Sequence, residues 1–163
     1  MLSKAIETAV KMETDAMKFY HEAAQKTSHP FAKKMFEGFI RDENRHLKML
    51  NEILGGLDLK IVKVDPKHEI KTVFSELKGQ MMSRISASTN EMEAVKVALD
   101  FEETGYEFYK KALAEAVDEK EKKLFSVLAD EEQQHFTILQ NTHAFLENTG
   151  DWFMWEEQGI IEG

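Results

Sequence analysis

The chain has 163 residues, a net charge of −9 and no cysteine. That length suffices for one domain with a sizeable core, and the acid excess argues against a nucleic-acid surface, which needs clustered Lys and Arg. The missing cysteines exclude disulfides, a thiolate nucleophile and Cys-ligated zinc or iron–sulfur centres, so any metal must be held by oxygen and nitrogen.

Only two prolines occur, at Pro30 and Pro66, and the composition favours helix almost throughout. A first helix is expected over 3–25, followed by a turn at Thr27, Ser28 and His29, with Pro30 suited to the first position of the next helix. That second helix runs to Leu54, where Gly55 and Gly56 supply a stop. LDLKIVKVDP reads as extended, His68–Leu77 as a short helix, and the region around Gly79 as a loop. A third helix opens near a capping box formed by Ser88 and Glu91 or by Asn90 and Glu93, and continues to Val117. The fourth starts after Asp118 and ends before Gly150. No apolar run approaches a membrane span, and MLSKAIETAVKMETD turns amphipathic and charged at once, so a soluble, cytoplasmic chain without a signal peptide is expected.

The second helix carries RDENRHL, with Glu43 and His46 three apart on its apolar stripe. In this composition such a pair arises by chance about 0.8 times, close to background. A second copy changes the weight of the observation. Sliding the chain by 89 residues superposes Ala5–Glu52 on Ala94–Asn141 with 12 identities in 48 positions, among them Glu13, Phe19, Tyr20, Phe36, Glu43 and His46. Glu132 and His135 thus repeat Glu43 and His46, while Glu102 and Tyr109 repeat Glu13 and Tyr20. Two duplicated helical hairpins are expected.

Each helix sets a charged residue on its buried face. The first reads Ile6, Ala9, Glu13, Ala16, Tyr20 and the second Phe36, Phe39, Glu43, His46, Leu50. The third and fourth repeat the pattern around Glu102 and around Glu132 and His135. In an antiparallel hairpin, residues equidistant from the turn lie level. The midpoint of 13 and 43 is Ser28 and that of 102 and 132 is Val117, both in or beside predicted turns. Packing the hairpins face to face therefore converges four carboxylates and two imidazoles, which is unfavourable without a compensating cation. The expected metal ligands are Glu13, Glu43, His46, Glu102, Glu132 and His135. Tyr20 and Tyr109 are candidates to hydrogen-bond the carboxylates, with simple core packing the alternative. Asp42 and Glu131 either orient the histidines or are solvated acids; His21, His29, His68 and His143 read as surface or packing residues.

A 26-residue helix is roughly 39 Å long, and about 12 extended residues span that distance. The stretch 55–88 is thus ample for an end-to-end crossover, with helices one and four parallel and two and three antiparallel to them. The bundle is expected over 1–149. The aromatic tail 150–163 would dock on it or on a neighbouring subunit.

ETDAMKFY (Glu13–Tyr20), DENRH (Asp42–His46), EETGYEFY (Glu102–Tyr109) and DEEQQH (Asp130–His135) together resemble the rubrerythrin branch of the ferritin-like superfamily, across all four helices; the ending WEEQGIIEG is similar to tails in that group. The resemblance implies an all-α ferritin-like four-helix bundle holding two irons, with Glu43 and Glu132 bridging, Glu13 and Glu102 terminal, and one histidine on each ion. Full rubrerythrins add a rubredoxin domain whose four cysteines deliver electrons; with none here, a separate electron-donor protein is implied. Rubrerythrins also carry a glutamate three residues after the third-helix ligand, where this chain has Gly105, giving a more symmetric site nearer the bacterioferritin pattern.

The donor set suits Fe or Mn, and imidazole also admits Zn. The leading expectation is a di-iron oxidoreductase acting on peroxide or O2 in oxidative-stress defence, as a homodimer without nucleic-acid or membrane partners. The alternatives are iron storage with ferroxidase chemistry, and a metal-stabilised scaffold without turnover.

Overall fold

The structure, a computed structural model, describes residues 4–56, 60–73 and 89–147. All regular structure among them is helical: α1 (Lys4–Lys26), α2 (Pro30–Leu54), α3 (66–73), α4 (Thr89–Glu115) and α5 (Glu119–Glu147). The expected tail 150–163, the loop around Gly79, residues 74–77 of the short helix and the cap at Ser88 lie outside the described residues.

Local chemistry sets the boundaries. His29 caps α2: its ring accepts from the Ala32 N–H at 3.4 Å, and Pro30 takes the first helical position, where an N–H would be unpaired in any case. Gly56, at φ 71°, closes α2 in a conformation that L side chains rarely adopt. Asp65 caps α3, accepting from the His68 N–H at 3.2 Å, so the helix begins at Pro66 rather than at His68 as expected. The hairpin turn between α4 and α5 spans 116–118 and centres on Val117, as the midpoint of 102 and 132 requires; α4 stops at Glu115 rather than at Val117, leaving Val117 87 % exposed, and Asp118 caps α5 by accepting from the N–H groups of Lys120 and Glu121 at 2.8 and 3.1 Å.

Helices α1 and α2 form one hairpin and α4 and α5 the other; the hairpins meet along α1 against α4 and α2 against α5. Direction follows from the ends. The Glu91 carboxylate, at the start of α4, accepts from the Thr27 hydroxyl and from the N–H groups of Ser28 and His29 at 2.9 and 2.7 Å, which places the start of α4 beside the turn ending α1. Thr142, late in α5, contacts Met35, early in α2, at 3.3 Å. Each inter-hairpin pair is therefore antiparallel, and α1 runs parallel to α5. The intervening chain crosses from end to end, since Ile61 packs on one apolar cluster and Ile70 is buried in the other.

Those clusters bracket the bundle's middle. One holds Tyr20, Phe31, Phe36, Val95, Leu139 and Phe145; the other Ile6, Leu50, Ile53, Tyr109, Phe125 and Leu128. The duplication survives in their geometry. Tyr20 stacks on Phe36 at 5.9 Å and 26°, and 89 residues later Tyr109 stacks on Phe125 at 6.1 Å and 28°. Burying one such ring contributes roughly 1.5–3 kcal/mol, and the two clusters hold rigid the polar layer between them.

Candidate metal centre

All six expected ligand residues lie in that layer, and Glu132, at 4 %, is the most exposed of them. Glu13 comes from α1, Glu43 and His46 from α2, Glu102 from α4, Glu132 and His135 from α5. They fall into two groups that share both central acids: Glu13, Glu43, His46 and Glu132, and Glu43, Glu102, Glu132 and His135. Within each group the donor atoms lie within 4.8 Å of one another.

The shared acids face both ways. Glu43 sets Oε2 at 3.4 Å from His46 Nδ1 and Oε1 at 3.4 Å from His135 Nδ1. Glu132 does the same, with Oε1 at 3.3 Å from His46 Nδ1 and Oε2 at 4.0 Å from His135 Nδ1. The outer acids each serve one ring: Glu13 Oε1 is 3.4 Å from His46 Nδ1, and Glu102 Oε1 is 3.3 Å from His135 Nδ1. These separations exceed an ordinary hydrogen bond. All but the 4.0 Å pair match two ligands on one ion, which at bonds near 2.1 Å lie about 3.0–3.4 Å apart for octahedral to tetrahedral angles.

Hydrogen bonding fits a cation too. Both oxygens of Glu43, Oε2 of Glu102, Oε1 of Glu132 and Nδ1 of both histidines are buried without a hydrogen-bond partner. Orphaned polar atoms are costly singly, and here they all border one small volume, so the residues present fit a pair of divalent ions. Four carboxylates balance two such charges, leaving the loaded ligand set neutral between the apolar clusters.

The far side of each ring is held by the opposite hairpin. His46 Nε2 lies 3.0 Å from Glu131 on α5, and His135 Nε2 lies 2.8 Å from Asp42 on α2. Asp42 and Glu131 are both buried, which decides between the two expectations for them. The tyrosines cross in the same way: the Tyr20 hydroxyl on α1 donates to Glu102 on α4, and the Tyr109 hydroxyl on α4 donates to Glu13 on α1 at 2.5 Å. Each half's ligands are thus oriented by the other half.

Electrostatics follow from this packing. Burial raises the Glu43 carboxyl, but attraction to His135 and His46 outweighs it and holds the group down to about 2. Without metal, Glu132 is pushed well up by burial and by repulsion from Glu102 and Glu43. Burial lowers both histidines, yet the surrounding acids raise them well above the usual imidazole range, chiefly Glu131 for His46 and Glu102 for His135. Burial lifts both tyrosines well up, leaving their hydroxyls as donors.

Sequence reasoning passed over Arg45. Its guanidinium pairs with both oxygens of Glu131, with Asp42 at 3.3 Å, and with the Val62 carbonyl of the crossover at 3.2 Å. One cation thereby ties together the acids behind both histidines. Its repeat partner is Gln134, which binds Asp130 at 2.9 Å, so the two halves differ here. A lone arginine one residue before a ligand gives no periodic signal. The four remaining histidines take no part in the layer; His29 is buried as a helix cap and His143 pairs with Glu147 at 3.6 Å.

Fold and layer together define a four-helix bundle with a buried carboxylate–histidine cluster able to hold metal. The rubrerythrin family profile matches residues 4–143, and the chain belongs to the rubrerythrin family. Searches of curated proteins and of solved structures found no match. No helix among the described residues is long and apolar enough to cross a membrane.

Proposed function

We propose that the protein is a di-iron oxidoreductase that reduces peroxide or O2, with electrons from a separate donor protein. The observation that carries this reading is the sharing of Glu43 and Glu132 between two four-donor groups, each completed by one imidazole Nδ1. Glu13 and His46 would complete one iron's ligands, and Glu102 and His135 the other's. A bound iron pair supplies two electrons together, which is the requirement for cleaving one O–O bond.

The chain's own residues prepare that chemistry. Asp42 and Glu131 accept from Nε2 and so present Nδ1 toward the acids. Tyr20 and Tyr109 fix the outer acids, each through one oxygen. The two apolar clusters close the layer at both ends along the bundle, which lowers the local dielectric and strengthens the charge interactions in it. Mixed carboxylate and imidazole donors favour Fe or Mn, and family membership favours iron. A cytoplasmic homodimer is the form in which we propose that it works.

The test loads the metal-free protein anaerobically with Fe(II), adds H2O2, and counts irons rapidly oxidised per chain. About two oxidised together supports the reading. One or none refutes it in favour of another metal or a scaffold, and a very large closed assembly by light scattering favours storage.

A further inference from the structure

Among the described residues, the two sides of the polar layer differ. On the α2 and α5 side, Asp42, Glu131 and Arg45 back the imidazoles, and the crossover closes over them through Val62. On the α1 and α4 side a cavity of about 140 Å³ reaches the acids themselves: Glu13, Glu43, Glu102 and Glu132 line it, and neither histidine does. Its lining also includes Asp15 and Thr104, which are exposed, so it runs from the surface to buried carboxylates that carry unpartnered oxygens.

Two small residues make this space. Ala16 and Gly105 lie three residues after Glu13 and Glu102, on the same helical faces, and occupy equivalent positions of the repeat. A methyl group placed on Gly105 would lie 3.6 Å from Glu132 Oε2 and 3.7 Å from its Cγ and Cδ. Gly105 therefore sits directly over a shared acid, and any side chain longer than alanine would fill the passage. Half-buried Met12 and Phe101 complete the lining.

We infer that this passage between α1 and α4, walled by Ala16 and Gly105, is the route by which the oxidant reaches the centre, and that it favours small neutral molecules. The inference rests on the di-iron reading above. Pockets for organic ligands run to roughly 300 Å³ or more, so this smaller one favours a molecule of the size of hydrogen peroxide or O2 over bulky organic hydroperoxides. Asp15 at the mouth disfavours anionic oxidants.

The experiment uses nitric oxide as a neutral diatomic probe. The Fe(II)-loaded full chain is mixed anaerobically with NO in a stopped-flow instrument, and the absorbance that NO develops on Fe(II) is followed; iron per chain is titrated separately. Gly105→Leu is expected to keep two irons and slow NO binding at least tenfold, Gly105→Ala to change the rate less than threefold, and Phe101→Ala to speed it. If Gly105→Leu disturbs Glu132 and lowers iron uptake, Ala16→Leu on the opposite wall carries the same expectation as Gly105→Leu. A leucine variant with two irons and an unchanged NO rate would overturn the route while leaving the di-iron reading intact. Fewer than two irons in the unmodified protein would overturn both.

Discussion

Glu132→Gln separates the electrostatic cost of the layer from its use. Glu132 is pushed well up by burial and by the neighbouring acids, so a neutral amide of the same shape mimics its protonated state. Metal-free Glu132→Gln should melt within about 1 kcal/mol of the unmodified protein, roughly 2–4 °C for a chain of this size. Loading is different. Each ion at a concentration of about 100 Kd adds about 2.7 kcal/mol, so two ions give about 5.4 kcal/mol and a rise of roughly 10–20 °C. Because Glu132 belongs to both donor groups, the variant leaves each with three full carboxylate or imidazole donors. Binding should fall to one ion or none, and the rise to under half. The assay is anaerobic calorimetry with and without Fe(II), beside an iron count, with Glu107→Gln on the exposed face of α4 as the control. A Glu132→Gln protein that binds two irons and keeps the whole rise would refute the shared-ligand assignment.

Asp42→Ala removes the acceptor behind His135 and should weaken metal binding by about 10–100-fold with the helix content unchanged; competition with a chelator measures it. Metal uptake should release protons and weaken as pH falls, because His46, His135 and Glu132 all have raised pKa values in the metal-free protein and must lose protons to become ligands. Uptake in weak buffer with a pH indicator would show this, and pH-independent uptake without proton release would contradict it. Tyr20→Phe leaves Glu102 without its donor and should cost about 1–3 kcal/mol by urea unfolding, with Tyr109→Phe similar because it strips the matching bond from Glu13.

Much of the fold and the centre is local and therefore legible. Apolar residues three and four apart, interrupted at Glu13, Glu43, Glu102 and Glu132, report a helix face directly, and the 89-residue repeat shows that the interruption is no accident. Pro30, Gly56 and Asp118 mark boundaries through the backbone chemistry of single residues. Asp42 and Glu131 were ambiguous for a geometric reason: one residue from a buried acid is about 100° round the helix, where exposure depends on the neighbour.

Sequence alone determined that four amphipathic helices carry six ligand-type side chains at matching heights, since periodicity and turn position are properties of the chain. Only the tertiary structure decided the crosswise supports, with Asp42 behind His135, Glu131 behind His46 and each tyrosine on the other hairpin's acid. It also decided that Arg45 bridges both backing acids and that Gly105 opens a passage over Glu132. The crosswise supports and the Arg45–Glu131 pair join residues about 80–100 positions apart and depend on how two hairpins dock, which no spacing within either hairpin encodes.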